Sequence, residues 1–328
     1  MSRADDSGHP AQPARQERAP VGAGSPPAAS IIIPAYNEGA VLRRCLRPLQ
    51  PWLRPDAADP LEVIVVPNGC TDDTAQIAQQ ASAEHAGIRV VELSRGSKSA
   101  ALNAGDEAAT AYPRIYLDAD IELSPSALPA LIAALTTPVA RVASPRIRFD
   151  TAHADPLVRS FYRVFARLPY VRDGLIGLGV YGVSAAGRAR FERFPDVIAD
   201  DLMIQRLFAP QERTIVDGEF VVRVPADIAS LVRVRSRVGR GNAELSRSGD
   251  ERFAASTQGT TRALAALVRH RPWALGDALC YIGVTLVSRA HSGRWGRGSR
   301  RAPSWERDES TRAAGRAAGR GAVGTPHA

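Results

Sequence analysis

Short apolar runs, separated by longer segments with helical spacing, are the feature that most restricts the fold of this 328-residue chain. The runs lie at 30–34 (SIIIP), 61–66 (LEVIVV), 88–93 (IRVVEL) and 114–117 (RIYL). They are rich in β-branched residues and nearly continuous in hydrophobicity, which is typical of strands buried on both faces. The alternation of such strands with helices predicts an α/β fold: a doubly wound, mostly parallel sheet with helices on both faces.

Polar residues follow three of these strands directly. Tyr36-Asn37-Glu38 comes after the first strand, Asn68 after the second, and Asp118-Ala119-Asp120 after the fourth. Ligands of parallel sheets bind at the carboxyl ends of the strands. The sequence therefore predicts one crevice that gathers these side chains.

The two ends of the chain differ in composition from its centre. Residues 1–29 are rich in Pro, Ala, Gly and Ser, and residues 291–328 are rich in arginine, so both are predicted to be disordered. No run reaches the roughly 18 apolar residues of a membrane span. The nearest candidate, 273–287, is interpreted as a buried helix, with a helix at a membrane surface as the alternative.

Cysteine usage and charge favour an intracellular setting. The three cysteines have no metal-like or disulfide-like spacing, which indicates a reduced, cytoplasmic protein. The net charge is +8, and Lys98 is the only lysine among 42 lysines and arginines. Because a basic tail attracts anionic surfaces, peripheral association with the inner face of the cell membrane is the alternative location.

Four motifs in the first half carry a family resemblance. They are IIIPAYNE (31–38), VIVVPNGCTDDT (63–74), SKSAALNAG (97–105) and YLDAD (116–120). In this order they resemble glycosyltransferase family 2, whose members have the GT-A fold and use nucleotide-diphospho-sugars. The resemblance is firm over 30–125 and weaker to about 245. It implies a catalytic domain at 30–290, made of a Rossmann-like donor-binding half (30–125), an acceptor half (126–245) and C-terminal helices (246–290).

The resemblance implies a divalent metal at the acidic triplet. A diphosphate leaving group needs a cation, and the hard ions Mn²⁺ and Mg²⁺ prefer carboxylate oxygens. By analogy with the family, Asp120 binds the metal, and Asp118 contacts the ribose or reaches the metal through water. Taken alone, the pair is more typical of a solvated turn than of a metal site.

The resemblance also implies a set of donor-binding residues. Glu38 would accept from a ribose hydroxyl, Lys98 would contact phosphate, and Arg240 would clamp the diphosphate. The predicted donor-binding residues are Pro34, Ala35, Tyr36, Asn37, Glu38, Asn68, Lys98, Asp118 and Arg240.

The nucleotide is left open by the loop after the second strand. The family often has Asp-Asp-Gly there, whereas this chain has Pro67-Asn68-Gly69. Because asparagine can both donate and accept, Asn68 fits uracil, guanine or thymine. A UDP-sugar is the preferred donor, with GDP- and dTDP-sugars as alternatives.

The second half is expected to supply the acceptor site and the catalytic base. An inverting transfer needs a carboxylate to take the proton of the acceptor hydroxyl. Counting back from the family's Arg-Leu pair, here Arg206-Leu207, selects Asp200, and reading the acidic pair itself selects Asp201. Asp200 is preferred. The glycine-bearing segment Gly177-Leu178-Gly179 is predicted to contact the acceptor.

These features favour an inverting, metal-dependent glycosyltransferase that acts on a hydroxyl acceptor, whether a glycan, a lipid-linked compound or a small molecule. Gly241 stands where processive relatives carry Trp, which favours single addition. A sugar-phosphate nucleotidyltransferase is the first alternative, although 34–40 lacks a glycine-rich basic loop. A non-catalytic binding protein with a basic tail is the second. No RNA-binding motif is present, so no specific nucleic-acid partner is predicted.

Overall fold

The computed structural model describes residues 26–54, 56–172, 179–195, 203–204, 207–247 and 255–295. Within them one sheet contains the strands β1 (Ala29–Ala35), β2 (Leu61–Pro67), β3 (Ile88–Val90), β4 (Arg114–Leu117), β5 (Glu122–Leu123), β6 (Val142–Asp150), β7 (Val180–Val183) and β8 (Arg213–Arg223). The helices are α1 (Gly39–Leu46), α2 (Thr74–Glu84), α3 (Lys98–Ala108), α4 (Ala127–Leu135), α5 (Pro156–Phe165), α6 (Pro169–Arg172), α7 (Ala185–Arg188), α8 (Ile228–Arg247), α9 (Ala255–His270) and α10 (Leu275–Trp295).

The strand order across the sheet is β3-β2-β1-β4-β7-β6-β8-β5. The first four strands of this order are parallel, as are β6 and β8, whereas β7 and β5 pair antiparallel with their neighbours. The predicted α/β class with a mostly parallel sheet is therefore confirmed. The carboxyl ends of β1, β2 and β4 lie side by side at one edge.

Each face of the parallel part is covered by a different set of helices. Ile31, Ile33 and Val65 point to the side where α1, α2 and α4 pack. Ile32 and Ile64, one residue out of phase, point to the side of α3. Because successive strand residues face opposite sides, a strand buried between two helical layers must be apolar throughout, which explains the SIIIP and LEVIVV runs.

A third apolar cluster stands apart from these two layers. Phe161 and Phe165 of α5 meet Leu231 of α8 and Tyr281 and Val284 of α10. The Phe161 ring stacks on Tyr281, with ring centroids 5.2 Å apart. The C-terminal helices are thus packed onto the second half of the chain through this cluster.

Three local expectations differ from the structure. Apolar spacing predicts one helix over 39–53, but the chain changes from α to 3₁₀ geometry at Arg47–Trp52, where Pro48 and Pro51 each lack an amide hydrogen. The strand expected at 88–93 ends at Val90. The Ser124-Pro125 pair predicts a helix with serine as its N-cap. Ser124 does not cap α4, because its hydroxyl accepts a hydrogen bond from the Glu219 amide at 2.8 Å and so joins the turn to β8.

The boundaries at the two ends of the chain also shift. The strand β1 begins at Ala29, within the segment predicted to be disordered, and α10 continues to Trp295, within the predicted tail. The rest of both predicted disordered segments, 1–25 and 296–328, lies outside the described residues. In the part of the chain that is described, no helix has the length and hydrophobicity needed to cross a membrane.

Candidate active site

The three strand ends that the sequence singled out lie at the same edge of the sheet. Ala35 at the end of β1 pairs with Pro67 at the end of β2, and Ile32 pairs with Tyr116 of β4. Pro34 and Ala35 themselves are buried strand residues. They therefore support the loops that follow the strands. The polar groups in those loops lie at the same edge of the sheet.

Asn37 joins the loop after β1 to the loop after β2. Its side-chain oxygen accepts from the Thr71 amide at 2.6 Å and from the Asp72 amide at 3.3 Å, and its Nδ2 donates to Thr71 Oγ1 at 3.1 Å. Its φ of 51° lies in the left-handed region, which asparagine tolerates better than most residues. The observed contacts of Asn37 thus hold the loops after β1 and β2 in a fixed position relative to each other.

Glu38 begins the first helix from a buried position, with 6% of its surface exposed. Its amide donates to Thr74 Oγ1 at 2.6 Å, and its carbonyl accepts from the amides of Val41 and Leu42. Thr74 Oγ1 in turn donates to Asp72 Oδ1 at 2.5 Å. A short chain of hydrogen bonds therefore fixes the start of α1 against the start of α2.

Asn68, which the sequence predicts to contact the nucleotide base, is fully buried in the structure. Its Nδ2 donates to the carbonyls of Ala35 at 2.9 Å and Val66 at 3.2 Å, and its Oδ1 accepts from the Ser97 amide at 3.0 Å. Both halves of the amide are thus used inside the protein. Asn68 holds β1, β2 and the start of α3 together beneath the crevice.

Tyr36 lies over a close approach of two loops. Gly69 has a φ of 60°, and a Cβ there would stand 2.3 Å from the Gly96 nitrogen. At Gly96 a Cβ would lie 3.0 Å from Tyr36 Cε2. The two glycines bring the loops after β2 and β3 together, and the half-buried Tyr36 ring packs on them.

The acidic turn after β4 leaves both of its aspartates accessible. Asp118 is half-buried, Ala119 is buried with 3% exposure, and Asp120 is exposed. Lys98 Nζ lies 2.9 Å from Asp118 Oδ1. The lysine at the start of α3 and the acidic turn, both identified in the sequence, are therefore in direct contact.

Cys45 and Arg44 of α1 lie directly behind the acidic turn, and no sequence pattern indicates a role for either. The Cys45 thiol donates to the Asp118 carbonyl at 3.7 Å, and burial, together with the charges of Asp120 and Asp118, raises its pKa. Arg44 pairs with Glu122 at 3.4 Å. Burial and the charge of Arg223 lower the Arg44 pKa, and Asp120 and Glu122 oppose this shift.

Gly179 is placed against the acidic turn. Its carbonyl accepts from the Asp118 amide at 2.7 Å, and its φ is 112°. A Cβ at this position would lie 2.4 Å from Ile121 Cγ1. In the structure, then, this predicted acceptor residue holds the turn that carries Asp118 and Asp120.

A divalent cation fits the chemistry of this turn. Among the described residues no three His, Cys, Asp or Glu side chains are grouped as a complete protein cage for a metal. Two accessible carboxylates are nonetheless the usual protein contribution to Mg²⁺ sites that are completed by water and substrate phosphates. Asp118 and Asp120 match that pattern.

Behind α3 lies a buried ion cluster that the sequence did not reveal. Asp106 accepts from Arg188 Nε at 2.8 Å and from Tyr116 Oη at 2.6 Å, and it pairs with Arg114 Nη1 at 2.6 Å. Burial alone would raise the Asp106 pKa, but the hydrogen bonds from Arg188, Tyr116 and Arg114 outweigh it and lower the pKa. Arg188 is 82 residues from Asp106 in the sequence, so only the fold brings it to the cluster.

Asn103 connects α3 to the segment that precedes the predicted base. Its Nδ2 donates to the Phe194 carbonyl at 2.9 Å, and its Oδ1 accepts from the Phe194 amide at 2.8 Å. The Phe194 ring packs edge-on against Tyr116, with centroids 5.0 Å apart. This two-point contact fixes the chain six residues before Asp200.

Five predicted site residues lie wholly or partly outside the described residues. Asp200, Asp201, Gly177 and Leu178 lie outside the described residues. Arg240 lies in α8, a helix that packs against α10 and α5, and its side chain is outside the described part. The roles of these five residues stay predictions.

Comparison with known proteins assigns the chain to a family. The family model described as "Glycosyl transferase family 2" matches residues 30–193, which is half of the chain. The chain therefore belongs to glycosyltransferase family 2.

Individual relatives agree with this assignment over shorter stretches. The chain is 33% identical over 99 residues to the uncharacterized glycosyltransferase YibD of Escherichia coli (strain K12), covering 30% of this chain and 27% of that protein. It is 35% identical over 111 residues to an undecaprenyl-phosphate 4-deoxy-4-formamido-L-arabinose transferase of Pseudomonas savastanoi pv. phaseolicola, covering 32% and 31%. The matched part thus spans less than a third of either relative.

The fold is shared over nearly the whole length of one solved structure. The mannosyltransferase PcManGT of Pyrobaculum calidifontis, solved in complex with GDP-Man and Mn²⁺, superposes with a TM-score of 0.58. The match covers 88% of this chain and 92% of that protein at 20% identity. At this identity the likeness establishes the GT-A fold alone.

Proposed function

We propose that this chain is an inverting, metal-dependent glycosyltransferase that moves one sugar from a nucleotide-diphospho-sugar to a hydroxyl acceptor. The observation that carries the proposal is the meeting of Lys98 with the Asp118-Ala119-Asp120 turn at a sheet edge shared by three strand ends. Family membership supports the same chemistry.

Asp118 and Asp120 are the residues that would hold Mn²⁺ or Mg²⁺. Both are accessible, and the buried Ala119 between them anchors the turn on the sheet. When bound, the metal would neutralise the charge that develops on the diphosphate as the glycosidic bond breaks. The Gly179 carbonyl, bonded to the Asp118 amide, keeps the first carboxylate in place.

Lys98 would bind the diphosphate beside the metal. Its ammonium is held near the acidic turn by Asp118, so it does not have to be recruited from solvent. A compact ammonium charge suits phosphate oxygens. The backbone of the Ser97–Lys98 segment is fixed from below by Asn68, which accepts from the Ser97 amide. Lys98 is therefore preorganised to contact the donor.

The proton of the acceptor hydroxyl would pass to a carboxylate oxygen of Asp200, with Asp201 as the alternative base. The contact between Asn103 and Phe194 supports this proposal because it fixes the preceding segment to the donor half. Attack by the acceptor oxygen on the anomeric carbon, opposite the departing diphosphate, would invert the configuration of that carbon.

The nucleotide is best identified by direct binding. Asn68 is buried, so we assign base recognition to other residues, and a UDP-sugar stays the preferred donor with GDP- and dTDP-sugars as alternatives. GDP-mannose belongs in the panel because PcManGT was solved with GDP-Man. Thermal unfolding of the full chain should shift for one nucleotide diphosphate in the presence of Mn²⁺, since a ligand that binds the folded state stabilises it.

Substitutions at the acidic turn test the proposed activity. We expect Asp120→Asn to lower turnover of the identified donor about 100-fold or more, because the metal would lose a charged ligand. Asp59→Asn is the matched control, since this exposed aspartate precedes β2 at the opposite edge of the sheet. Turnover that is unchanged in both Asp120→Asn and Asp118→Asn would show that the reaction does not depend on a metal bound by these aspartates.

The base and the reaction class have separate tests. We expect Asp200→Asn to abolish transfer while leaving the metal-dependent thermal shift intact, and the same result in Asp201→Asn alone would assign the base to Asp201. The anomeric configuration of the product, read by NMR, decides between inversion and retention. Release of pyrophosphate from a nucleoside triphosphate and a sugar phosphate would favour a nucleotidyltransferase instead.

A further inference from the structure

Helix α10 has two apolar faces, and only one of them is buried. Ala278, Tyr281 and Val284 pack into the protein with 3 to 6% exposure. On the opposite face Leu275, Leu279, Ile282 and Leu286 are 41 to 60% exposed, and these four residues are called the apolar stripe. Their spacing of four, three and four residues places them along one line of the helix.

The surroundings of the apolar stripe are open and add to its hydrophobic surface. A Cβ placed on Gly276 or Gly283 would meet no atom of the described residues within 4 Å. Trp273 and Val287 extend the surface at its two ends, with 79% and 54% exposure. A continuous apolar surface of this kind is uncommon on a monomer in water and marks a binding surface.

The charges around the apolar stripe identify what covers it. From 255 to 295 the sequence has five arginines and a single acid, Asp277. That acid is engaged on the packed side by Arg163, whose Nη2 lies 2.6 Å from Asp277 Oδ1, and by Ser160 Oγ at 2.7 Å. Arg269, Arg271 and Arg289 are exposed before and after the stripe. The covering surface must therefore combine an apolar layer with negative charge.

We propose that the apolar stripe of α10 lies in the interface of an anionic lipid bilayer, with its axis parallel to the membrane. The stripe extends for roughly 17 Å along the helix. Leucines would enter the acyl boundary, the arginines would contact acidic headgroups, and Trp273 would lie at the level where tryptophan is enriched in membrane proteins.

A second copy of the chain is a poorer occupant for the same surface. Two stripes packed together would each bring a positively charged rim and no exposed acid between Ala255 and Trp295 to offset it. Like charges brought together at an interface oppose association. A bilayer with acidic headgroups would bury the apolar stripe and would also pair the arginines with negative charge.

The test is cosedimentation of the full chain with phosphatidylcholine vesicles that contain or lack phosphatidylglycerol. We expect binding to the anionic vesicles, and we expect Leu279→Ser/Leu286→Ser to lower the partition coefficient on the order of 100-fold, since two leucines lose their burial. Val139→Ser is the matched control. Val139 is similarly exposed, at 54%, but lies between α4 and β6, so its variant should bind as the wild type does.

A second variant separates the charge from the apolar contact. Arg269→Gln/Arg271→Gln should weaken binding to anionic vesicles about 10-fold or more and leave any partition into phosphatidylcholine unchanged. All substituted side chains are exposed, so circular dichroism and the urea midpoint should stay close to those of the wild type.

Three outcomes would overturn the proposal. The first is a wild-type chain that does not sediment with anionic vesicles. The second is a leucine double variant that sediments as well as the wild type. The third is a wild-type dimer that becomes monomeric in the leucine double variant while vesicle binding is unchanged, which would assign the apolar stripe to a second copy. None of these measurements needs a nucleotide, so they are independent of the proposed activity.

Discussion

Gly179 supports the acidic turn, and replacing it tests how tightly that turn is built. A Gly179→Ala side chain would stand 2.4 Å from Ile121 Cγ1 and 2.6 Å from Ile121 Cδ1, well inside contact distance. It would also force a φ of 112° on a residue with a Cβ. The strained backbone costs about 1–3 kcal/mol and the overpacking a similar amount, so we expect the free energy of unfolding to fall by about 2–6 kcal/mol.

The same substitution should reach the proposed metal site. The Gly179 carbonyl accepts from the Asp118 amide, so a displaced Gly179 moves the turn that carries both carboxylates. We expect weaker Mn²⁺-dependent nucleotide binding, measured by titration, together with the loss of stability, measured by urea unfolding. Gly283→Ala is the matched control: its Cβ meets no atom within 4 Å, and alanine in a helix interior stabilises by about 0.5–1 kcal/mol.

A double variant separates the two contributions to the Gly179→Ala effect. Ile121→Ala removes both atoms that the new methyl group would meet. The double variant should therefore lose at least about 1 kcal/mol less than the sum of the two single variants. A loss below about 1 kcal/mol in Gly179→Ala, with nucleotide binding unchanged, would refute the tight packing of Gly179 on the acidic turn.

Three further predictions concern the groups beneath and beside the crevice. Asp106→Asn should lower the free energy of unfolding by about 3–5 kcal/mol at neutral pH, because Arg114 and Arg188 would keep buried charges without their partner. The Asp106 pKa is lowered in the folded state, so the ionised carboxylate stabilises the protein fully above the usual pKa of an aspartate. This stabilisation is lost as the pH falls toward the folded-state pKa. The free energies of unfolding of wild type and variant, measured with urea, should therefore converge in acid. Asn68→Asp should lower the thermal unfolding midpoint more than Asn68→Ala does, because a fully buried carboxylate would face the carbonyls of Ala35 and Val66. If Asn68→Asp is as stable as the wild type and its base preference is altered, Asn68 reads the base. Lys98→Gln should weaken binding of the nucleotide diphosphate about 10-fold by titration while leaving the urea midpoint nearly unchanged, because the pair with Asp118 is partly exposed and adds little to stability.

Much of the fold follows from local sequence patterns. The strand β4 was predicted with its observed bounds, Arg114–Leu117, and β2 within one residue, because a strand buried on both faces is a continuous apolar run that turn residues end abruptly. The 3₁₀ turn at Arg47–Trp52 was missed because the apolar spacing continues through it, whereas the two prolines change the hydrogen bonding. Ser124 was misassigned as a cap because its partner, Glu219, is distant in sequence.

The sequence by itself determined the α/β class and the shared sheet edge, because strand direction brings the carboxyl ends of parallel strands to the same place. The family resemblance assigned Lys98 and the acidic turn to one donor site, and the structure showed that they are in contact. Only the tertiary structure decided that Asn68 is a buried tie between loops, that Gly179 holds the acidic turn, and that α10 leaves its apolar stripe exposed. The physical reason is common to all three. Burial and hydrogen-bond partners depend on segments far away in the chain, and no local pattern records which of two chemically suitable faces a neighbouring element will cover.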